Sequence, residues 1–166
     1  MTKGLLIFFC GKMGAGKTTL ARKMVKEKQG ILISEDDLLS TFYPNKISTV
    51  HDYKKHSDLI KPVVENLVQQ LLEKGLTVIL DFPANTRNQR HWLKSISDGV
   101  DAPHICFVLD VADDVCLQRV LERAHPHTDT EEMFTAMGLV FVDPKDEEGV
   151  TVKRVEPSSP MVPDRA

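Results

Sequence analysis

Eight consecutive residues, Gly11-Lys12-Met13-Gly14-Ala15-Gly16-Lys17-Thr18, carry the strongest chemical signal in this chain of 166 residues. Three glycines let a backbone curl its N–H groups inward without a side chain blocking the approach of a bulky anion. The pattern GxxxxGK[ST] lies between an apolar run, residues 4–10, and a helical stretch from about Lys17 to Lys28. That is the context a phosphate-binding loop requires, and the helix start adds the positive end of its dipole. Lys17 is then expected to bridge β- and γ-phosphate oxygens, with the Thr18 hydroxyl ligating Mg2+ and Thr19 touching the α-phosphate. A fortuitous glycine-rich turn is the alternative, and the flanking strand and helix argue against it. No Asn-Lys-x-Asp guanine-reading pattern is present, which favours ATP.

The elements that must hold this loop are legible as alternating strands and helices. After Gly30 stops the first helix, Ile31-Leu32-Ile33-Ser34 reads as a second strand running into three acids, Glu35, Asp36 and Asp37. One of these is expected to cap a helix over Leu38–Phe42. From Ile60 the positions Val63, Val64, Leu67, Val68 and Leu71 follow the spacing of an amphipathic helix, with Pro62 in its first turn. Gly75 closes it, and Leu76 to Asp81 reads as the third strand. Thr86 with Gln89 forms a capping box for a helix that Gly99 ends. His104 to Leu109, ending in Asp110, is the fourth strand, and Asp113 or Asp114 starts a helix through about Arg123. Thr128 and Glu131 make another capping box, and Val150 to Val155 supplies a last strand. The expected fold is α/β: a three-layer arrangement with a mainly parallel five-stranded sheet flanked by helices. Ligands of such sheets sit beyond the carboxyl ends of the strands, where the loop, Asp36, Asp81 and Asp110 all fall.

Bulk properties narrow the class. The hydrophobic fraction of 42% and charged fraction of 27% suit one globular domain, expected over residues 1–156 with a proline-rich, disordered tail at 157–166. No apolar run is long enough to cross a bilayer, and the apolar start runs into the glycine loop without a cleavage-site pattern. Cys10, Cys106 and Cys116 lack zinc or CxxC spacing, so free thiols in a reducing cytoplasm are expected. The net charge of −3 argues against an extended nucleic-acid surface. Residues 1–28 nevertheless hold seven basic residues and one acid, a net of +6, so the remainder carries −9. A solvated lysine face on the first helix accounts for most of this asymmetry, and only Lys17 occupies a position that demands phosphate.

With the loop, the acidic strand ends and the later paired arginines in view, the chain resembles a small P-loop kinase. It is most similar to the compact AAA-type ATP-binding family related to polynucleotide kinase, zeta toxin and gluconate kinase, over roughly residues 4–156. The resemblance implies that Asp36, in Ile33-Ser34-Glu35-Asp36-Asp37, is the base set against the acceptor hydroxyl. Phosphoryl transfer needs little beyond positioning, charge stabilisation and such a carboxylate. It implies that Asp81 holds a magnesium water or the acceptor, with Asp110 as a rival, and that Arg87 or Arg90 meets the acceptor. Arg119-Val-Leu-Glu-Arg123 resembles the segment leading into the lid, here short and near residues 124–138. Four-residue spacing puts both guanidinium groups on one face, fit to clamp a triphosphate; a charged surface face is the alternative. Glu147 resembles the acidic segment on the adenine side. The implied activity is transfer from ATP to a hydroxyl of a small metabolite, nucleotide or nucleic-acid end, walled by residues 40–61. An ATP-binding module or slow NTPase read by a protein partner is the competing expectation. His51, His56, His125 and His127 receive no role.

Overall fold

The computed structural model describes residues 2–124 and 129–156. Five strands form one sheet: β1 (Leu6–Cys10), β2 (Ile31–Ser34), β3 (Val78–Pro83), β4 (His104–Leu109) and β5 (Val152–Val155). Their spatial order is β2-β3-β1-β4-β5 and every pairing is parallel. The helices are α1 (Lys17–Lys28), α2 (Glu35–Phe42), α3 (Val50–Glu73), α4 (Arg87–Asp98), α5 (Asp113–Arg123) and α6 (Glu131–Leu139). No helix among the described residues is long and apolar enough to cross a membrane.

Strand alternation explains the three layers. Leu6, Phe8 and Cys10 face the side covered by α3 and α4, with Val64, Val68, Leu72, Leu93 and Ile96. Ile7 and Phe9 face the opposite side, under Leu20 and Ala21 of α1. The central strand β1 is wholly buried, as a strand covered on both faces must be. Each large side chain taken fully from water here contributes roughly 1.5–3 kcal/mol before entropy is counted. The effect for function is a rigid β1 whose carboxyl end delivers the glycine loop.

Several local expectations shift. The third helix begins at Val50 rather than near Ile60, because Thr49 and Asp52 form a reciprocal capping box at its start. Pro62 therefore lies inside this 24-residue helix, not in its first turn. Its buried row is Ser57, Ile60, Val64, Val68 and Leu72, while Val63 and Leu67 are exposed at 70% and 46%. The sheet offers α3 only a narrow contact, so part of its apolar stripe stays outside. The helix after β2 starts at Glu35 without a linker, and its cap is Ser34, not an acid; the Ser34 hydroxyl accepts from the Asp37 N–H. The acids occupy the first turn instead, where the helix dipole favours them. Thr130, rather than Thr128, caps α6 by accepting from Met133 N–H; Thr128 lies outside the described residues, as do His125, His127 and 157–166. The Thr86–Gln89 capping box forms in full.

Candidate functional site

The glycine loop leaves β1 and enters α1 at the carboxyl edge of the sheet. Two of its glycines have left-handed φ angles, 77° at Gly14 and 101° at Gly16, which β-carbon-bearing residues rarely adopt. At Gly14 a side chain would also collide with the Cys116 carbonyl of α5. Gly16 is the N-cap of α1 and supplies no side-chain bond, and no acid occupies that helix's first turn. The N-terminus of α1 is thus left electropositive, as an anion site requires.

Lys17 folds back over the loop. Its ammonium donates to the carbonyl of Gly11 and, at 3.0 Å, to that of Lys12. Desolvation pulls its pKa down to about 8, against smaller opposing pulls from nearby acidic groups, Asp81 among them. An ammonium so placed gains from a phosphate, which returns the charge stabilisation that burial removed. One residue on, the Thr18 hydroxyl donates to Asp81 Oδ2 at 2.9 Å. This pairing follows from topology, since β3, which carries Asp81, lies directly beside β1. Thr19 is exposed at the same helix end. Lys12 is tied to Asp113 at 2.7 Å and lies over the Phe141 ring; Met13 is half-buried and Ala15 buried.

The register of β2 on β3 sets Ser34 opposite Asp81. Asp36 follows two residues later, exposed in the first turn of α2. Asp36 and Asp81 therefore come from the ends of neighbouring strands. Glu35 differs sharply. It is buried at 3% exposure, accepting from Tyr53 and, at 2.8 Å, from Ser57 of α3. Burial raises its pKa, partly offset by these two hydroxyl bonds. Glu35 ties α2 to α3, and no local pattern in the sequence distinguishes it from Asp36.

The arginines separate. Arg119 Nη1 donates to Gly14 O at 3.2 Å, so its guanidinium rests on the phosphate loop. Arg123, one turn further, makes a two-pronged pair with Asp129 at 3.0 and 3.1 Å. Arg87 pairs with Glu147 and reaches Glu148 at 3.6 Å. Arg90 is buried at 1% exposure, held by both oxygens of Glu148 at 2.8 Å and donating to Ala84 O. Asp110 is engaged by Arg154, which also grips Asp143. His56 Nδ1 donates to the Asp52 carbonyl at 2.7 Å, and its ring lies against Tyr43. The three cysteines are free and buried, and burial pushes the Cys10 thiol up to about 11. Among the described residues no cluster of three or more His, Cys, Asp or Glu is set to hold a metal by itself.

Asn85 is the site residue that sequence reading passed over. Its side-chain oxygen accepts the Gly11 N–H at 2.9 Å, across 74 positions. The only available signal was its place just beyond the β3 strand end, beside the capping box.

Comparison with known proteins agrees with this geometry. A family profile described as an AAA domain matches residues 6–141. A thymidylate kinase of Xylella fastidiosa (strain M23) is 26% identical over 168 residues, covering 84% of this chain and 74% of its own length. A protein of Chloroflexus aurantiacus J-10-fl superimposes with a TM-score of 0.73 at 16% identity, over 93% of this chain and 86% of the other. The APS kinase of Mycobacterium tuberculosis, solved with AMPPNP and APS, gives 0.64 at 16% identity over 100% and 92%. At these identities the structures share the fold.

Proposed function

This chain belongs to the AAA domain family, and from that premise we propose that it is a P-loop kinase moving the γ-phosphate of ATP to a hydroxyl. Its acceptor would be a small metabolite, a nucleotide or a nucleic-acid end. The observation that carries the reading is one edge of the sheet bearing three things together. These are the anion-ready start of α1, the Thr18–Asp81 pair and the exposed Asp36 of the adjacent strand end. The kinase relatives, one at 26% identity, point the same way.

In this reading the loop Gly11 to Thr19 cradles the phosphates through amides other than that of Gly11, which Asn85 holds, and Lys17 exchanges its carbonyl partners for β- and γ-oxygens. Thr18 and Asp81 present a hydroxyl and a carboxylate to one point, a donor set suited to a hard cation that fills its remaining positions with phosphate and water. They would hold Mg2+, which when bound neutralises charge on the β- and γ-oxygens. Asp36 accepts the acceptor's hydroxyl proton as that oxygen bonds to the γ-phosphorus and ADP departs. Arg119 meets charge growing over the loop, and Arg123 anchors Asp129 just ahead of α6. Arg87 meets the acceptor only if its pairs with Glu147 and Glu148 open. Residues 40–61, with Phe42, Tyr43 and Tyr53, wall the acceptor. The test is a panel of nucleoside monophosphates, sugars, small alcohols and 5′-hydroxyl oligonucleotides with γ-labelled ATP. Label in one acceptor class supports the kinase; label only in free phosphate favours a slow NTPase.

One observation favours that second reading. Helix α6 buries none of its residues, so water exclusion over the γ-phosphate depends on closure that acceptor or partner must drive.

A further inference from the structure

Gly11 is buried, so its N–H has no water to turn to, and Asn85 Oδ1 is its acceptor at 2.9 Å. The carbonyl of the same glycine receives the Lys17 ammonium. Asn85 is itself held on both sides of its backbone. Its N–H donates to Gln89 Oε1 at 2.9 Å, and its carbonyl accepts from Val142 N–H at 2.8 Å. Gln89 belongs to the capping box of α4. A continuous chain of bonds thus runs from the α4 start through Asn85 and Gly11 to Lys17. It also collects the segment that returns from α6.

We propose that Asn85 is a positioning residue for ATP binding, fixing Gly11 so that the loop carbonyls hold the Lys17 ammonium ready for the phosphates. This rests on reading the loop as an ATP site. Asn85 suits the task because its amide oxygen spans to a backbone N–H without bringing a charge beside the triphosphate. Its loss removes the acceptor of a buried donor, a larger penalty than losing an exposed bond. The surrounding fold does not depend on it, since Arg90 separately anchors the neighbouring backbone at Ala84 and contacts Cys10 Sγ at 3.9 Å. Asn85 acts through Gly11 and Lys17, so its signature is a loss of affinity out of proportion to any loss of stability.

The experiment titrates ATP·Mg calorimetrically into the full chain and its Asn85→Ala, Asn85→Asp, Gln89→Ala and Lys17→Ala variants. Melting temperature and amide exchange at Gly11 are followed alongside. Asn85→Ala is expected to weaken ATP·Mg about tenfold and to speed Gly11 exchange by a similar factor, since each tenfold is about 1.4 kcal/mol, within the range for a stranded buried donor. Asn85→Asp keeps an acceptor oxygen and should restore Gly11 protection, with affinity between the two because of its charge. Gln89→Ala, which loosens the Asn85 backbone and opens one arm of the α4 capping box, should weaken binding about threefold, and it carries the test if Asn85→Ala does not fold. Asn85→Ala binding within about twofold of the unsubstituted protein, or Asn85→Asp leaving Gly11 unprotected, overturns the proposal. If Lys17→Ala abolishes binding while Asn85→Ala and Gln89→Ala do not weaken it, the positioning role fails and the ATP site stands. If the unsubstituted protein does not bind ATP·Mg, both fail together.

Discussion

The phosphate loop and helix α6 both lean on α5, yet they are held by opposite means. The loop is fastened from every side: Asn85 at Gly11, the Lys17 ammonium across its carbonyls, Asp81 at Thr18 and Arg119 on Gly14. Helix α6 has a single side-chain cap at Thr130 and no fully buried residue, and its last residue, Leu139, is 82% exposed. Preorganised polar contacts lower the cost of ordering a site at the moment of binding, whereas a lightly packed element opens at low free-energy cost. Under the proposed function, nucleotide capture would belong to the rigid part and exclusion of water to the loose part. Even neighbouring arginines divide this way, Arg119 resting on the loop and Arg123 pairing with Asp129 ahead of α6.

The sharpest way to break this contrast is Lys17→Ala. The loop's other ammonium, that of Lys12, is tied to Asp113, so calorimetry should find ATP·Mg binding lost in folded protein. Unchanged affinity and turnover would remove the phosphate-site assignment altogether. Asp36→Asn comes next. It should retain ATP·Mg affinity and melting temperature yet lose about 10²–10⁴ in transfer, because the amide keeps the shape but accepts no proton. Since Ser34, not Asp36, is the helix cap, an activity loss in a stable variant points to chemistry. Full transfer would move the base to Asp81 or Asp37.

The arginines test the loop against the α6 side directly. Arg119→Ala should slow turnover by about 10–10³-fold, below the full effect of an arginine finger, with ATP affinity less affected. Arg123→Ala should slow turnover less, and its larger effect should be a lower melting temperature, because it takes the two-pronged arginine away from the buried Asp129 carboxylate. Equal losses of turnover would show that Arg123 acts on the triphosphate together with Arg119.

The smallest effect is a pH dependence. With its pKa near 8 in the free protein, Lys17 is protonated below that value and binds phosphate at full strength. Phosphate raises its pKa, so ATP·Mg affinity should fall as pH rises above about 8, by at most roughly tenfold per unit. Titrations from pH 7 to 9.5 check this, and an affinity that stays flat across that range would remove Lys17 titration as its cause.

What the sequence determined by itself was local. The glycine loop, the apolar strand runs, the Thr86–Gln89 box and the alternation that yields a parallel sheet depend on residues within a few positions of one another. Motif and periodicity report such interactions directly. Boundaries failed where a second local signal went unread, as with Thr49–Asp52, which moved the α3 start ten residues upstream and left Pro62 in its interior. Tertiary structure alone decided which of three consecutive acids is buried, because Glu35 meets Tyr53 and Ser57 from a helix eighteen and twenty-two residues away. It alone decided that Arg119 faces the loop while Arg87 and Arg123 face carboxylates, and that Asn85 grips Gly11 across 74 positions. A charge or amide in sequence has many possible partners, and only the packing of the strands and helices brings one of them within hydrogen-bond reach.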